Sequence, residues 1–561
     1  MRICILIAVV CILSGSVIVA APNPANFKVD VLAEGFVDPQ EFVMLPDGSI
    51  LICQRTGALL QWKPGANKVT EVGSIIVSSR NGSYARECGF IGLTADLDFA
   101  KNGYLYCFYS TPSQHKPEFA GNKEYKNDKF AAQQKEVKQV NRLSRFTFKN
   151  GKLDNSTEVV ILDIPTDRYN STCHEAGSMA FGPDGCLYIS TGDNTNPFSK
   201  PATPIEEHKP ELDAQRSSSN SNDLRGKVLR IKIKPDGSYE IPQGNLFKPG
   251  TPKTRPEIFA MGLRNPYRIT LNSKTGTLYW GEVAPDKNPT GEEINQAKTA
   301  GYYGWPYVIT DTKVFNDLKG KAFDPKNIQN NSKNNTGITR LPVPREPLHF
   351  YNRSCAIIGG VFHMDSVNSK TSFPAYYDNC LFFADWNKSW FKVIRLDNEE
   401  KKIGVEEFKV NFQFRKPIDM FFDKGELYVL EYGTGWYNVK NGRLLKISYS
   451  TDYNQQASAG ADTRMNGMDL KHPGSKFMKT ATCLSCHTAQ DKILGPTFAD
   501  VAEKYKNTKG AVSMLTQKVK NGGTGVWGVQ PMPAHPMYKD EQIKMMIEAV
   551  LKTQKLGGHK E

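Results

Sequence analysis

The string Cys483-Leu484-Ser485-Cys486-His487 carries the most specific chemistry in the sequence. Two cysteines separated by two residues and followed at once by histidine form the C-x-x-C-H pattern of c-type haem attachment. The thiols of Cys483 and Cys486 can add to the two vinyl groups of a haem, and His487 can reach the iron from the same helical turn. A thioredoxin-like redox motif would be accompanied by a βαβ pattern, which this part of the sequence lacks. We therefore predict a covalently bound haem c.

A haem iron held by one histidine needs a ligand on its other face, and Met532 is placed to supply it. This residue lies between Pro531 and Pro533, after a glycine-rich loop and before the last helical pattern. A thioether ligand raises the reduction potential and leaves no open coordination position, which suits electron transfer rather than oxygen chemistry. Other side chains could take this position instead: His535, Met537, Met545 and Met546.

His174 and the pair Arg264-Asn265 are the polar residues that we single out in the larger, upstream part of the chain. Each lies beside a strand pattern and therefore on a loop. Imidazole titrates near neutral pH and can accept a proton, and a guanidinium can stabilise negative charge. Because a single histidine is more often structural, the residues alone only nominate these positions.

The loops that carry these residues belong to a unit that recurs six times over residues 27–450. Each unit has an apolar alternating strand, a tight turn and a second strand with alternating aromatic residues, and the turns supply the positive φ that hairpins require. The six turns lie at residues 45–51, 100–106, 182–188, 274–279, 377–382 and 423–428. Six such units predict an all-β six-bladed propeller with four strands in each blade. A large β-sandwich is the alternative, but sandwiches do not usually repeat one string six times.

After the propeller the pattern changes twice. Residues 451–470 lack strand periodicity and are interpreted as a linker. From Lys471 onwards the pattern is helical, and we expect Asp540 to cap a helix with Ile543, Ile547, Val550 and Leu551 on one face. The expected division is a signal peptide at 1–21, the propeller at 22–450, the linker at 451–470 and a small all-α haem domain at 471–561.

The first residues are typical of a secretory signal peptide. Met1-Arg2 is positively charged, residues 3–19 are almost wholly apolar, and Ala20-Ala21 offers a cleavage site. A lipid anchor at Cys11 is the alternative, although the apolar run continues past it. We expect the protein to be exported across the inner membrane to the periplasm.

Composition excludes several classes of protein. With 39% hydrophobic and 23% charged residues and a mean hydropathy of −0.46, the 561-residue chain is neither disordered nor embedded in a membrane. The net charge of +13 raises the question of nucleic acid, but lysines are scattered among acids, so we expect no such partner. Seven cysteines lie outside the signal and the haem motif, and this odd number predicts at least one free thiol.

The tail resembles the small bacterial class I cytochromes c over about residues 470–555. The strings that carry the resemblance are 483–487, 495–498, 501–505, 525–528 and 531–533. The resemblance implies that His487 and Met532 are the axial ligands and that Pro496 lies beside the haem.

Residues 27–450 resemble the soluble PQQ-dependent glucose and aldose sugar dehydrogenases, where PQQ is pyrroloquinoline quinone. The strings that carry this resemblance begin, in order, at Glu87, His174, Arg255, Arg264, Glu292 and Tyr303. Further strings at 190–198, 213–216, 222–227 and 431–436 resemble the branch of this family that is fused to a cytochrome c domain. The resemblance implies a six-bladed propeller with the quinone on its upper face.

In this family the residue at the His174 position removes a proton from the anomeric hydroxyl of a sugar while hydride passes to the quinone. The resemblance implies the same role for His174 and contact with the quinone for Arg264 and Asn265. Glu87 stands where the glucose enzymes have glutamine and is a further candidate for cofactor binding.

The resemblance also implies two calcium sites, because hard oxygen donors suit this ion. The backbone carbonyls of Ala284 and Pro285 match the ligands of a calcium ion that bridges to the cofactor. Glu293 and the carbonyl of Tyr303 match a second, structural calcium site.

Three positions depart from the family pattern besides Glu87. Cys173 replaces an aspartate, and Lys416 and Ile418 align with two arginines that grip the quinone. The cations available to replace those arginines are Arg415, Lys416 and Lys388.

Together these features imply a quinohaem oxidoreductase of a sugar or related alcohol, with a soluble cytochrome or a terminal oxidase as electron acceptor. One alternative is a propeller without PQQ, which would be the carbohydrate-binding or docking module of a haem electron carrier. Another is a calcium-dependent propeller hydrolase or lactonase. A ring of carboxylates and amides around one metal would be expected for the latter, and the sequence offers no such ring at assignable positions.

Overall fold

The structure is a computed structural model of the chain. It describes residues 21–78, 87–112, 139–167, 173–196, 205–285, 291–310, 324, 326–352, 356–363, 370–435, 439–451, 463–480, 482–485, 487–492, 495–523, 526–527, 532, 534–535 and 538–555. The predicted signal peptide, Cys355 and Cys486 lie outside these residues, apart from Ala21.

The upstream part of the chain forms six sheets, which are the blades of a propeller, and the four main strands of each blade pair antiparallel. Blade one contains β2 (Pro39–Met44), β3 (Ile50–Gln54), β4 (Ala58–Trp62) and β5 (Thr70–Ser74). Blade two contains β6 (Phe90–Ala95), β7 (Tyr104–Ser110), β8 (Val140–Lys149) and β9 (Lys152–Pro165), with the short helix α1 (Phe99–Asn102) between its first two strands. Blade three contains β10 (Ala176–Phe181), β11 (Leu187–Thr191), β12 (Lys227–Ile233) and β14 (Ile258–Met261).

The remaining three blades follow the same plan. Blade four contains β15 (Pro266–Leu271), β16 (Leu278–Glu282), β17 (Gly291–Ala297) and β19 (His349–Asn352). Blade five contains β20 (Ala356–Phe362), β21 (Cys380–Asp385), β22 (Phe391–Leu396) and β23 (Lys402–Phe408). Blade six contains β24 (Pro417–Asp423), β25 (Glu426–Glu431), β26 (Gly442–Tyr449) and β1 (Phe27–Phe36). Two short strands extend blade three: β13 (Tyr239–Glu240) pairs with β12, and β18 (Gly301–Tyr302) pairs with β14.

The six-bladed propeller predicted from the repeats is confirmed. Each of the six predicted turns lies between the first and second strand of a blade. Gly48 and Gly185, at two of these turns, have φ of 79° and 72°, a conformation that favours glycine. The ring is closed by β1, which comes first in the chain but pairs with β26, with Phe27 opposite Tyr449.

The first strands of the blades line the central channel and contact one another in order around the ring. The segments that lead into them therefore meet at one end of the channel, and these segments carry Glu87, His174, Arg264 and Lys416. This end is the candidate functional face. Just inside it, Glu41, Arg268 and Asp419 occupy the third position of β2, β15 and β24.

Glu400 fastens blade five to blade four at the opposite end of the channel. Its carboxylate, on the turn between β22 and β23, is buried and accepts four hydrogen bonds from side chains of blade four. The donors are Asn272 Nδ2 at 2.6 Å, Thr275 Oγ1 at 2.9 Å, Thr277 Oγ1 at 2.5 Å and Tyr279 OH at 3.1 Å. Burial acts to raise the pKa of Glu400, but these hydrogen bonds outweigh it and hold the pKa below its usual value.

Replacing Glu400 by alanine is expected to destabilise the propeller by about 3 kcal/mol, because buried donors lose their acceptor. Since the folded-state pKa is lowered, the wild-type stabilisation is present above pH 4.5, the ordinary pKa, and is lost as the pH falls through the folded value. Urea unfolding of the wild type and of Glu400→Ala at pH 7 and pH 3.5 measures the difference in their free energies of unfolding. Glu399→Ala, at the exposed neighbour, is the control, and an equal effect of both variants would contradict the assignment.

The tail forms a small helical domain around its own core. Its helices are α2 (Pro473–Thr480), α3 (Phe498–Tyr505), α4 (Ala511–Asn521) and α5 (Asp540–Leu551), with a 3-10 turn at Thr482–Ser485. Ile543, Ile547 and Val550 are buried on one face of α5, as predicted, and Leu551 is partly buried against the same core. Met465 and Met468 pack into the same core, so residues before Lys471 contribute to it.

Asp540 does not cap α5, contrary to our prediction. Lys539 is the N-cap, because the side chain of Gln542 accepts a hydrogen bond from its backbone N–H at 2.9 Å. Asp540 is the first helical residue and forms an ion pair with Lys520 at 2.9 Å. Among the described helices, none combines the length and apolar character needed to cross a membrane.

Candidate active site and haem site

His174 lies on the segment that leads into β10, and its imidazole contacts Asp193 just beyond the end of β11. His174 Nδ1 is 2.6 Å from Asp193 Oδ1, and both side chains are buried. The two segments approach closely, since a Cβ on Gly192 would fall 1.8 Å from the carbonyl oxygen of His174. Because the carboxylate accepts the Nδ1 proton, Nε2 of His174 is left as the proton acceptor.

Asp193 is held by further donors. Its Oδ1 accepts hydrogen bonds from the backbone N–H and the hydroxyl of Thr195, both at 2.9 Å, and its Oδ2 accepts one from Trp305 Nε1 at 2.7 Å. Burial acts to raise the pKa of Asp193, but the charge and hydrogen bond of His174 and the charge of Arg264 hold it below its usual value. Asp193 is therefore ionised at neutral pH and can stabilise a protonated His174.

Glu282, at the end of β16, fixes the backbone of Arg264 and Asn265. Its Oε1 accepts hydrogen bonds from the N–H groups of these two residues at 2.8 Å and 2.6 Å. Its Oε2 accepts one from Trp280 Nε1 at 3.1 Å. Burial, with a contribution from the charge of Glu293, raises the pKa of Glu282 to about 8.

Arg264 joins this segment to the His174 loop. Its carbonyl accepts a hydrogen bond from the N–H of Asp193 at 2.8 Å, and its guanidinium lies 5.8 Å from the centre of the Trp305 ring. Nη1 donates to the carbonyl of Val283 at 2.7 Å. The imidazole of His174 and the guanidinium of Arg264 are thus held by one connected network.

Asn265 has an unused acceptor. Its Nδ2 lies 3.5 Å from Oε2 of Glu87, which also accepts a hydrogen bond from the N–H of Glu175 at 3.2 Å. Its Oδ1 is buried and has no hydrogen-bond partner among the described residues. A buried oxygen without a donor costs about 1–3 kcal/mol, which a bound molecule can offset. The orphan oxygen of Asn265 and the guanidinium of Arg264 therefore fit PQQ, whose polar groups need both donors and acceptors.

The two predicted lysines belong to blades five and six. Lys416 Nζ donates to Asn387 Oδ1 at 3.1 Å and lies 4.0 Å from the centre of the Trp386 ring. Lys388 Nζ lies 5.9 Å from the centre of the Tyr351 ring. The side chain of Ile418 is buried in the core, so this position offers no cofactor contact.

The residues of both predicted calcium sites, Ala284 and Pro285 for the first and Glu293 and Tyr303 for the second, line one cavity of about 20 Å³. This cavity has room for a single ion or water and therefore for one of the two predicted ions. Burial raises the pKa of Glu293 to about 7, and Glu282 also lines the cavity. Two buried carboxylates at one small cavity have a donor chemistry that fits a hard cation.

His487 has the geometry of a haem ligand. Its Nδ1 donates to the carbonyl of Pro496 at 2.7 Å, so Nε2 is unprotonated and available to iron. A Cβ on Gly495 would fall 2.3 Å from Cε1 of His487, which shows how closely the backbone cradles the ring. The N–H of His487 donates to the carbonyl of Cys483 at 3.0 Å, as expected for the attachment turn.

Met532 is fixed by two backbone hydrogen bonds with Gly523, both of 2.9 Å. Burial lowers the pKa of His487, the hydrogen bond to Pro496 opposes this change, and the charge of His535 adds to it. His535 stays the predicted alternative to Met532 as the second axial ligand. Cys486, the second predicted thioether residue, lies outside the described residues.

Sequence reasoning did not assign roles to Asp193 and Glu282, although the structure places them against His174 and Arg264. Asp193 follows Gly192 just beyond the end of a strand. An acidic residue at the end of a blade strand could have been nominated from the sequence as a partner of a loop residue such as His174. Glu282 carried no such signal, because its partners come from a loop 17 and 18 residues away.

A propeller with a buried histidine–aspartate pair on one face, followed by a small helical domain with a haem-attachment turn, defines a class of two-domain redox proteins. The profile of the glucose / sorbosone dehydrogenase family matches residues 36–435, and that of cytochrome c matches residues 472–553. The chain therefore belongs to the glucose / sorbosone dehydrogenase family and carries a cytochrome c domain.

Similar proteins are known for both parts. Quinoprotein glucose dehydrogenase B of Acinetobacter calcoaceticus is 26% identical over 334 residues, 58% of this chain and 63% of its own length. Cytochrome c-551 of Ectopseudomonas mendocina is 42% identical over 78 residues, 14% of this chain and 94% of its own length. The crystal structure of the soluble aldose sugar dehydrogenase from Escherichia coli in the apo-form has a TM-score of 0.52 and 20% identity, covering 76% of this chain and 100% of that one, and it supports the fold. The chain spans 21–63% of the length of its longer curated relatives.

Proposed function

We propose that the protein is a quinohaem oxidoreductase, which oxidises a sugar or a related alcohol with PQQ and passes the electrons to its own haem c. The observation that carries the proposal is the buried His174–Asp193 pair beside Arg264 and Asn265. The cytochrome c domain on the same chain supports it, because fusion raises the local concentration of the electron acceptor.

His174 takes the hydroxyl proton of the substrate at Nε2, because its Nδ1 is engaged by Asp193. The ionised Asp193 then stabilises the imidazolium that forms. Removal of this proton pushes electron density towards the carbon that loses hydride. When bound, PQQ supplies the two-electron acceptor that no side chain provides.

Arg264 and Asn265 would hold the cofactor, and a guanidinium suits the negative charge of its reduced state. Glu282 keeps both residues in place through their backbone N–H groups. Lys416 and Lys388 are the proposed cations on the side of blades five and six, and calcium is proposed at the cavity lined by Glu293.

The proposed compartment is the periplasm, and the signal pattern of the first 21 residues supports it. The haem would then deliver electrons to a soluble cytochrome or a terminal oxidase. The lysine-rich composition of the tail supports a partner with an acidic surface.

The proposal is tested by following the absorbance of the oxidised, haem-loaded protein while calcium, PQQ and a panel of aldoses are added in turn. We expect haem reduction only when PQQ and a substrate sugar are both present. A chemical reductant added at the end shows that the haem is competent, and protein without PQQ is the control.

A competent haem that no aldose or related alcohol reduces, together with no PQQ binding by calorimetry, would contradict the proposal. That result would favour the carbohydrate-binding or docking module instead. One observation supports this second candidate, namely the burial of Ile418 where the resembling enzymes have an arginine.

A further inference from the structure

Arg216 has an incompletely satisfied guanidinium. Its side chain is only 12% exposed, yet its hydrogen bonds are long, at 3.5 Å from Nη1 to Asp167 Oδ2 and 3.4 Å from Nη2 to the carbonyl of Asn194. Its Nε is buried and has no hydrogen-bond partner among the described residues. Since buried charged groups are normally fully hydrogen-bonded, the Nε of Arg216 is a donor for which the described residues supply no acceptor.

A second guanidinium, that of Arg225, approaches the side chain of Asn194. Its Nη1 is 3.3 Å from Asn194 Oδ1, whereas its Nε and Nη2 bind Asp223 at 3.0 Å and 2.7 Å. Burial first, and then the charge of Arg225, lower the pKa of Arg216. Two positive charges thus contact one asparagine. Among the described residues, Arg225 has a carboxylate at 2.7 Å, whereas the carboxylate beside Arg216 lies at 3.5 Å.

Asn194 connects these arginines to the candidate base. Its N–H lies 3.4 Å from the carbonyl oxygen of His174, and the preceding residue, Asp193, holds the imidazole. The charge of Asp193 also acts on Arg216 and on Arg225. The two arginines therefore belong to the loop cluster that surrounds His174.

We propose that Arg216 binds the carboxylate of an acidic sugar, of the uronic or aldonic acid class, while a hydroxyl of the same molecule is presented to His174. A guanidinium matches a carboxylate with two parallel hydrogen bonds, and Nε and Nη2 are donors that the protein leaves unused or weakly used. Since Asp223 neutralises Arg225 and Asp167 partly balances Arg216, a singly charged carboxylate fits better than a doubly charged phosphate. The assignment of a substrate rests on the proposed oxidoreductase function.

The test is a calorimetric titration of the full-length, haem-loaded protein with glucuronate, gluconate and glucose, without added PQQ. We expect Arg216→Gln to weaken binding of an acidic sugar about tenfold or more, because a charged hydrogen-bond donor is lost. Glucose binding should change less than about twofold. Arg395→Gln is the matched control, because Arg395 is paired with Glu406 at 2.7 Å on blade five. This variant should change the binding of neither glucose nor the acidic sugars.

Asp167→Asn provides a second variant, which is expected to change the affinity for acidic sugars in the opposite direction. Asp167 competes with the ligand for Arg216, so removal of its charge should tighten the binding of acidic sugars. Equal losses of glucose and acidic sugars in Arg216→Gln, or unchanged binding of acidic sugars, would overturn the assignment.

PQQ also carries carboxylates. A parallel titration with PQQ therefore shows whether Arg216 binds a carboxylate of the substrate or one of the cofactor. Weaker PQQ binding with unchanged binding of acidic sugars in Arg216→Gln would place the carboxylate on the cofactor and overturn the substrate assignment. Because binding is measured without turnover, a failed haem-reduction experiment would count against the proposed function and not against this site.

Discussion

Replacing His174 by alanine is expected to slow substrate-driven haem reduction by about 10³-fold, while PQQ binding and the haem spectrum stay unchanged. A positioned general base contributes about 10²–10⁴-fold, and His174 is positioned by its 2.6 Å contact with Asp193. Asp193→Asn should cost at least about 10²-fold, because an amide can donate to Nδ1 and so favour the wrong tautomer. Stopped-flow spectroscopy of the haem band in a single turnover measures both rates.

His208→Ala is the control for these variants, because it removes an exposed imidazole whose Nδ1 lies 3.1 Å from Lys333 Nζ. It should leave the rate unchanged. A His174→Ala variant that keeps more than about a tenth of the wild-type rate would show that another group takes the proton. Glu87, which contacts Asn265, would then be the next carboxylate to replace.

The propeller could be predicted because each blade repeats the same local pattern. The turns at Gly48 and Gly185 need positive φ, and glycine reveals that need in the sequence. The closing pair β1–β26 could not be read in the same way, because its strands are more than 400 residues apart and no local pattern marks the pairing. The extension of blade three by β18 likewise depends on a contact between distant segments.

The residues of the candidate site likewise divide into those that the local sequence reveals and those that only the fold brings together. The haem motif could be predicted because its chemistry is contained in five consecutive residues, and His174 and Arg264 could be nominated from their place beside strands. Their partners could not, since Asp193 and Glu282 become neighbours only when loops from different strands meet. Arg216 lies in a string whose sequence indicates only a family resemblance, and the unpaired Nε of its guanidinium becomes visible only in the folded structure.

Replacing Arg268 by methionine is expected to destabilise the propeller by about 3–5 kcal/mol near pH 8, because it removes the positive charge from a buried cluster. Arg268 is only 1% exposed, and its Nε lies 3.9 Å from Asp419 Oδ1. The guanidinium also donates to the carbonyls of Ile418 at 3.0 Å, Tyr267 at 2.9 Å and Gln40. The variant would leave the carboxylates of Glu41 and Asp419 without this cation and three carbonyls without this donor.

The two carboxylates give this cluster a defined pH dependence. Burial raises the pKa of Glu41 to about 8, although the charge of Arg268 opposes the change. Burial also raises the pKa of Asp419 above its usual value, again against Arg268. The folded protein therefore keeps protons that the unfolded chain has released. As a result, the contribution of this cluster to the free energy of unfolding falls as the pH rises from about 4.5 to about 8.

Glu41→Gln should flatten this slope, because an amide resembles the protonated carboxyl. Arg268→Met should lose least near pH 5, where protonation relieves the uncompensated charge. Urea unfolding at pH 5, 6.5 and 8, followed by the far-ultraviolet circular dichroism of the sheets, measures both effects, and Arg395→Met is the surface control.

An equal loss at every pH in Arg268→Met would assign the effect to packing, and an unchanged slope in Glu41→Gln would assign the pH dependence to other groups. The cluster also bears on the site, because Glu41 accepts hydrogen bonds from Leu93 N–H at 2.7 Å and from the Ser178 hydroxyl at 2.6 Å. Glu41, Arg268 and Asp419 together thus connect five of the six blades just inside the functional face. If this connection sets the spacing of the loops above it, Arg268→Met should also weaken PQQ binding at pH 8 more than at pH 5.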